Sequence, residues 1–326
     1  MKESPKIQSP LIVICGPTAT GKSTTGIQIA KELEGEIVSA DSMLIYKGMD
    51  IGTAKPTLAE MCAVPHHLID IVEPDQEYNV ALYQEQAREI IIDIINRKKL
   101  PILVGGTGLY MGAVIDDYDF SRAPGSAEYR NKLMQDAKKH GAGKLYERLH
   151  KIDPGSAAKL HPHDLRRIIR ALEVYKYTGT PISSFHKVDH SRKSIFNPLM
   201  FGLNLERKKL YEKIEERVEL MIRSGLVTEV QGLLNRGFSP ELNSMRGLGY
   251  KELTEYLLGE RSLDSSIDIL KRNTRRFAKR QMTWFRRDKR IKWLNIDQAD
   301  VPGEIVTEIS SFLLKEYPKV CRKEYR

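Results

Sequence analysis

Short, fully apolar runs alternate with amphipathic stretches over the first 115 residues. The run Leu11–Cys15 has the length and uniform apolarity of a strand buried on both faces. A helical pattern follows from Lys22 to about Leu33 and is ended by Gly35. Glu36–Ser39 predicts a second strand and His67–Ile71 a third, bounded by Pro65 and Pro74. Pro101–Val104 predicts a fourth, closed by Gly105-Gly106-Thr107-Gly108. Asn79 is placed to cap a helix running to about Arg97, with Leu82, Ala87, Ile90, Ile91, Ile94 and Ile95 on its inner side. This alternation predicts an α/β core, a parallel sheet with helices on both faces.

Near Ile115 the rhythm stops. Turn clusters at Asp116–Asp119, Pro124-Gly125 and Asp153-Pro154-Gly155 separate short helical patterns. Asp164 can cap a helix whose one face is Leu165, Ile168, Ile169 and Leu172 and whose other face is Arg166, Arg167 and Arg170. Thr178-Gly179-Thr180-Pro181 stops it. Residues 116–195 are therefore expected to form a helical insertion domain. Residues 1–115 and 196–326 then form the core, with Ser194–Leu205 as a return strand and helices over 206–224, 226–235, 249–258 and 264–288.

Composition describes an ordinary soluble protein: 326 residues, 41% hydrophobic and 29% charged. Met1–Pro10 has no apolar signal-like region, and no apolar run is long enough for a bilayer, so no membrane association is expected. Cys15, Cys62 and Cys321 are unevenly spaced with no CxxC, which fits a reducing cytoplasm.

Charge adds more once it is located. Ten Lys/Arg fall between Lys271 and Arg290 against Asp288 alone, a local +9 that equals the net charge of the whole chain. The segment keeps a helical stripe at Ile267, Leu270, Thr274, Phe277, Ala278, Gln281 and Trp284/Phe285. It reads as a docked helix with a basic outer face. Because local acids are lacking, nucleic acid contact, through residues such as Arg275 and Lys279, is favoured over a merely solvated face.

The chemistry begins at Gly16-Pro17-Thr18-Ala19-Thr20-Gly21-Lys22-Ser23, which fits G-x-x-x-x-G-K-[ST] directly after a predicted strand. Glycines let successive N–H groups face an anion, the helix start adds its dipole, and Lys22 adds a full charge. A di- or triphosphate is the expected ligand, with the Ser23 hydroxyl offered to Mg²⁺. Asp41, at the end of the second strand, has three readings open: a magnesium ligand, a general base, or a turn-forming aspartate. Arg217 edges the amphipathic stretch Tyr211–Arg223 and is either a phosphate clamp or a surface arginine balanced by Glu216 and Glu219. Arg246-Gly247-Leu248-Gly249-Tyr250-Lys251 has the ingredients of a backbone-phosphate and base-stacking contact, and equally of a helix-entry turn. His66-His67 lacks other ligand-type residues at metal spacing and reads as structural.

Taken in order, these segments resemble the tRNA dimethylallyltransferases. The resemblance runs through Gly16–Ser23, Asp41-Ser42 with Tyr46 and Gly52-Thr53-Ala54-Lys55-Pro56, and Gly105–Tyr110. It continues through Arg166–Val174, Arg217-Val218 with Gly225-Leu226, Arg246–Lys251 and Lys279-Arg280-Gln281. Leu44 stands where many members have glutamine. The resemblance implies a P-loop NTPase-like core and transfer of a dimethylallyl group from dimethylallyl diphosphate to N6 of adenosine 37 of tRNA. It implies Asp41, Thr18 and Arg217 as catalytic residues, Gly16–Ser23 as the diphosphate site and Mg²⁺ on Ser23. It implies tRNA contacts at Asp41, Ser42, Met43, Leu44, Thr107, Arg130, Arg166, Arg167, Ile168, Ile169, Arg170, Arg246–Lys251 and Gln281. The anticodon stem-loop is the expected partner and a monomer the expected state. A small-molecule P-loop kinase would share the loop and Asp41 but has no use for the basic helix. A non-catalytic RNA-binding protein with a regulatory nucleotide site is the alternative from another class.

Overall fold

The computed structural model describes residues 9–116, 118, 120, 125–185, 194–297 and 302–317. The predicted turn residues Asp117, Asp119 and Pro124, the first eight residues and Cys321 lie outside the described residues. Two compact units result, Met1–Ile115 with Ser194–Arg326, and Asp116–Lys193.

In the first unit six strands form one parallel sheet. They are β1 (Pro10–Cys15), β2 (Gly35–Ser39), β3 (His66–His67), β4 (Leu100–Val104), β5 (Asn197–Asn204) and β6 (Lys292–Asn295), ordered β3-β2-β4-β1-β5-β6. Every residue of β1, β2 and β4 is buried, as an inner parallel strand covered on both faces requires. Before the second unit come helices α1 (Lys22–Glu32), α2 (Leu58–Ala63), α3 (Val80–Asn96) and α4 (Gly108–Ile115). The second unit holds α5 (Ala127–His140), α6 (Ala142–Ile152), α7 (Pro154–Ala157), α8 (Leu165–Thr178) and α9 (Ile182–Phe185). The first unit resumes with α10 (Arg207–Arg223), α11 (Leu226–Asn235), α12 (Tyr250–Leu257), α13 (Leu263–Phe285) and α14 (Pro302–Glu316).

Alternate residues of β1 feed opposite cores. Leu11 and Val13 pack with Tyr83, Ile91 and Val114 of α3 and α4. Ile12 and Ile14 pack with Ile29 of α1 and with Val306 and Ile309 of α14. The inner side of α3 is Tyr83, Ala87, Ile91 and Ile94, while Leu82 is 40% exposed, a correction to the predicted face. Tyr83 wins the inner position because its hydroxyl donates to the Ser39 carbonyl at 2.9 Å and its ring stacks on Tyr110 at 4.0 Å. The third strand is shorter than predicted. Leu68 and Asp70 sit at φ 60° and 55°, left-handed backbone that ends the extended run after His67. No element is predicted beyond 288, whereas β6 adds an edge strand beside β5 and α14 covers α1, with Phe312 edge-on to Phe201.

The second unit is a helical cluster around Leu133, Leu145, Leu149, Ile168, Ile169 and Leu172. Ser126, Asp153 and Asp164 cap α5, α7 and α8 through their side chains, and Gly179 ends α8 at φ 69°. Its fully buried acid, Glu173, accepts the Ser126 N–H at 2.8 Å and pairs with Arg130 at 2.8 Å and Arg170 at 2.6 Å. Burial alone would raise its pKa, but these donors hold it below the ordinary carboxylate range.

The first unit has buried acids of its own, Glu36 and Glu252. Glu36 on β2 is gripped by both terminal nitrogens of Arg97 and lies 2.8 Å from His67 Nε2, so both predicted structural histidines stay with the sheet edge. The Arg97 hydrogen bonds, working against desolvation and aided by His67, pull its carboxyl from 4.5 down to about 2. A depressed carboxyl stabilises the fold above its unfolded pKa, and that contribution is lost as pH falls from about 4.5 towards 2. Urea unfolding across this window should therefore show a shallower loss of stability for Glu36→Gln than for the wild type. Identical pH slopes would free Glu36 of this role.

Candidate active site

Three strand ends converge on the site, and backbone hydrogen bonds lace them together. Ala40 N–H donates to Val104 O at 2.7 Å, Gly105 N–H to Ile14 O at 3.2 Å and Thr107 N–H to Ala40 O at 3.1 Å. A side chain at Gly105 would overlap the Ala40 carbonyl, so this approach requires glycine. The loops that carry ligand chemistry thus sit at the carboxyl ends of β1, β2 and β4, where ligands bind open parallel sheets.

Gly16 leaves β1 at φ 139°, and a Cβ there would stand 2.6 Å from Leu203 O. The loop then folds on one carbonyl: Pro17 O accepts from Thr20 Oγ1 at 2.8 Å and from Lys22 Nζ at 2.6 Å. Lys22 and Ser23 open α1, with Gly21 left-handed at its start. Beneath the loop, burial pushes the Cys15 thiol up to about 12, so it stays protonated.

Charge at the site is set by Lys22, Arg217 and Asp41. Desolvation, followed by the neighbouring Arg217 cation, lowers Lys22 to about 8, while Asp41 and Cys15 oppose the shift. Desolvation also lowers Arg217, against Asp41. Of the two acids expected to balance this arginine, Glu219 is paired with Lys271 at 2.5 Å; Glu215, on the same helix, is paired with Arg275 at 2.5 Å. Arg217 instead donates from Nη2 to the Thr53 carbonyl at 3.4 Å. Asp41 Oδ1 accepts the Met43 N–H at 2.9 Å, so the turn role is present and one carboxylate oxygen serves it.

The segment that supports Arg217 is itself clamped. Glu229 of α11 accepts the N–H groups of Asp50, Ile51 and Gly52 and the Tyr250 hydroxyl, at 2.7–3.1 Å. Lys55 pairs with Asp50 and Asp70 and donates to Tyr46 O at 3.0 Å. Gly52 lies against the Tyr250 ring where a side chain would clash. No local pattern marks Glu229, because its role depends on a contact about 178 residues away.

Several candidate RNA contacts prove to be interior. Tyr250 is fully buried, with its hydroxyl on Glu229, so it cannot stack on a base without leaving the core. Ile168 and Ile169 form part of the second unit's core. Arg130 and Arg170 are held by Glu173, and Arg275 by Glu215, so the lack of acids within the 271–290 segment does not leave its charges unopposed. The acids come from α10, about 50–60 residues away in sequence. Gln281 is 6% exposed and faces the loops rather than solvent. Arg166, Arg167, Arg246, Lys251 and Lys279 remain exposed; Arg167 pairs with Asp164, Arg246 with Glu241 and Lys251 with Glu255. Met43 lies against Gly247, which joins the 41–44 turn to the 246–251 segment, with Leu248 and Gly249 packed inward. Thr107 Oγ1 accepts the Ser42 N–H at 3.1 Å and fixes the same turn from the β4 side.

A glycine loop at the end of β1, a helix-opening lysine and a carboxylate at the end of β2, all on a parallel sheet, define an α/β protein of P-loop-like fold. The family model described as IPP transferase matches residues 44–288. The chain is 59% identical over 303 residues to a tRNA dimethylallyltransferase of Pelotomaculum thermopropionicum, covering 93% of this chain and 96% of the relative. It is 53% identical over 311 residues to one from Desulforudis audaxviator, covering 95% and 99%. Among solved structures it is similar to a full-length tRNA isopentenylpyrophosphate transferase from Bacillus halodurans. That match has a TM-score of 0.71 at 42% identity and covers 98% of this chain and 100% of the other. It is also similar to a eukaryotic dimethylallyltransferase acting on tRNA, with a TM-score of 0.80 at 30% identity and coverage of 95% and 80%. The chain belongs to the IPP transferase family.

The lowered Lys22 supplies a test of the phosphate site. The ammonium is charged below about pH 8, and a bound polyanion favours the charged form. Inorganic diphosphate should therefore bind more weakly as pH rises through about 8, with proton uptake on binding in that range. Calorimetry in buffers of different ionisation enthalpy reads both effects. Lys22→Met should bind weakly and without the pH step; a step retained in that variant would assign it to another group.

Proposed function

We propose that this protein transfers a dimethylallyl group from dimethylallyl diphosphate to N6 of adenosine 37 in the anticodon loop of tRNA, releasing diphosphate. The observation that carries this reading is the juxtaposition of two desolvated cations and one carboxylate at the phosphate loop. The cations suit the diphosphate, and the carboxylate suits the acceptor's proton. In the step, the N6 lone pair forms a bond to C1 of the dimethylallyl group as the C1–O bond to diphosphate breaks, and the electron pair leaves on the diphosphate oxygen. The amine of adenine is a weak nucleophile, so a base must take its proton as the bond forms. The oxygen of Asp41 not engaged by Met43 is the proposed acceptor. Lys22, Arg217 and the loop N–H groups stabilise the charge that develops on the leaving diphosphate, with Thr18 beside them. The target base must leave its stack to reach the pocket.

Among the described residues no group of three His, Cys, Asp or Glu is arranged for a metal. Mg²⁺ typically takes few protein ligands and fills its shell with phosphate oxygens and water. Ser23, exposed at the second position of α1, fits a Mg²⁺ that arrives with the diphosphate. When bound, the ion would offset leaving-group charge. For the RNA, the proposed contacts are the Ser42–Leu44 turn with Thr107, Arg166 and Arg167, Arg246 and Lys251, and the outer face of α13 at Lys279. No helix among the described residues is long and apolar enough to cross a membrane. A monomer acting in the cytoplasm on tRNA is the proposed setting, and the kinase reading leaves the basic helix without a purpose.

Asp41→Asn keeps an oxygen for the Met43 N–H and removes the base. Single-turnover prenylation should slow by a factor of roughly 10²–10⁴ while tRNA affinity holds. A near-wild-type rate would confine Asp41 to its turn.

Lys279→Ala should weaken tRNA binding and flatten the dependence of log K on log[salt] by about one unit. Arg275→Ala should change the slope less, because Glu215 already neutralises that arginine. Equal slopes for Lys279→Ala and wild type would take this face of α13 out of the RNA footprint.

A further inference from the structure

Helix α13 turns its basic side outward and one amide inward. Gln281 Oε1 accepts the Thr18 N–H at 2.9 Å, and its Nε2 donates to the Gly106 carbonyl at 2.9 Å. One partner lies in the phosphate loop and the other in the turn after β4. A primary amide satisfies both at once; an ionised carboxylate only accepts, and a thioether of the same length does neither usefully. Gly106 lies so close to Nε2 that a side chain there would overlap it. Gly108 stands in the same relation to Trp284, about one turn further along α13. Two loops of the site are therefore seated on side chains of a single helix.

The arm of the loop that Gln281 holds is not in a relaxed conformation. Gly16 at φ 139° and Ala19 at φ 64° both lie in left-handed backbone, and the second is not a glycine. Such an arm keeps its shape only when its surroundings over-determine it. Thr18 N–H has one acceptor among the described residues, the Gln281 amide. Without it, a partly buried donor and a buried carbonyl lose their partners together.

We infer that Gln281 is a positioning residue that holds the Pro17–Ala19 arm of the phosphate loop in its diphosphate-binding shape, and is not an RNA contact. This rests on the reading of that loop as the diphosphate site. Its effect reaches the reaction through Thr18 and the loop, so it should appear in donor binding and leave RNA binding alone.

The test compares wild type, Gln281→Met and Gln281→Glu, using inorganic diphosphate with Mg²⁺ as the probe and calorimetry as the readout. Unmodified tRNA affinity is measured in parallel without donor. Gln281→Met should weaken diphosphate binding by about tenfold or more and raise KM for dimethylallyl diphosphate, with tRNA affinity within twofold of wild type. Gln281→Glu adds a readout that general loosening of the core does not give. The ionised carboxylate faces the Gly106 carbonyl and weakens binding. The protonated acid restores a donor to Gly106 while its carbonyl still accepts from Thr18. Relative to wild type at each pH, diphosphate binding by Gln281→Glu should thus recover as pH falls, while Gln281→Met stays flat.

Wild-type diphosphate affinity in both variants overturns the inference. So does a loss of tRNA affinity by Gln281→Met with diphosphate binding intact. Should Gln281→Met fail to fold, the pH-dependent recovery of Gln281→Glu decides alone, and its absence also overturns the inference. A wild-type protein that binds diphosphate but does not prenylate tRNA would remove the proposed reaction and leave the role of Gln281 to be judged on diphosphate binding.

Discussion

The site exists because three strand ends approach one another more closely than side chains would permit. At Gly105 the chain passes so near the Ala40 carbonyl that only hydrogen fits, and the surrounding N–H groups lace β1, β2 and β4 just beyond the regular sheet. Backbone groups engaged this way are satisfied without secondary structure of their own, so the turns stay ordered although the strands have ended. Residues set on those turns inherit that order. Asp41 follows Ala40 directly, Thr107 follows the two glycines, and the phosphate loop continues β1. The spacing of Asp41, Thr107 and the glycine loop is thereby fixed by sheet geometry rather than by flexible loops.

What the sheet brings together is electrostatically incomplete. Lys22 and Arg217 are neighbouring cations in a desolvated place, and each raises the cost of the other's charge. A merely stable protein would put carboxylates beside both. Here Glu215 and Glu219, on the same helix as Arg217, are committed to Arg275 and Lys271 instead, and Asp41 is the carboxylate that opposes both positive groups. The resulting excess of positive charge is relieved by an anion. In the proposed reaction that anion is the leaving diphosphate, which gains charge as its bond to carbon breaks and so relieves the excess best at the moment of reaction. The clamp of Glu229 on residues 50–52 belongs to the same design, since it steadies the loop whose Thr53 carbonyl takes Arg217.

How much of this was legible in the sequence follows from the range of the interactions. Uniformly apolar runs followed by glycine placed β1 and β4, a short run after the helix-ending Gly35 placed β2, and the phosphate loop and Asp41 could be located because each adjoins its strand. Local caps placed α3 and α8. What escaped depends on partners far along the chain. The acids that neutralise Lys271 and Arg275 lie on another helix, so a window of twenty residues overstated the free charge of α13. Tyr250 looked like a stacking aromatic beside two cations, yet Glu229 and Gly52 draw it into the core. Family resemblance carried Ile168 and Ile169 to an RNA surface although their helical spacing had already placed them inside. The edge strand β6 has little pattern to find, with Leu294 its one buried residue. Helix α14 does show helical spacing, at Ile305, Val306, Ile309 and Leu313.

The same logic separates two kinds of arginine that a count of charges cannot. In the second unit, Arg130 and Arg170 converge on a carboxylate with no solvent exposure, and Ser126 adds an N–H to it. A buried carboxylate in this position is costly without its partners, so these arginines are bound to the fold and are poorly available to a phosphate. Arg166 and Arg167 share their helix but stand on its exposed side, where Asp164 is a weak and solvent-screened partner for Arg167. A polyanion can outcompete such a pair, because it offers several phosphates and releases counterions as it binds. Basic residues tied to a fully buried acid therefore shape the unit, and one tied to a partly exposed acid, as Arg167 is to Asp164, is more available to the RNA of the proposed reaction.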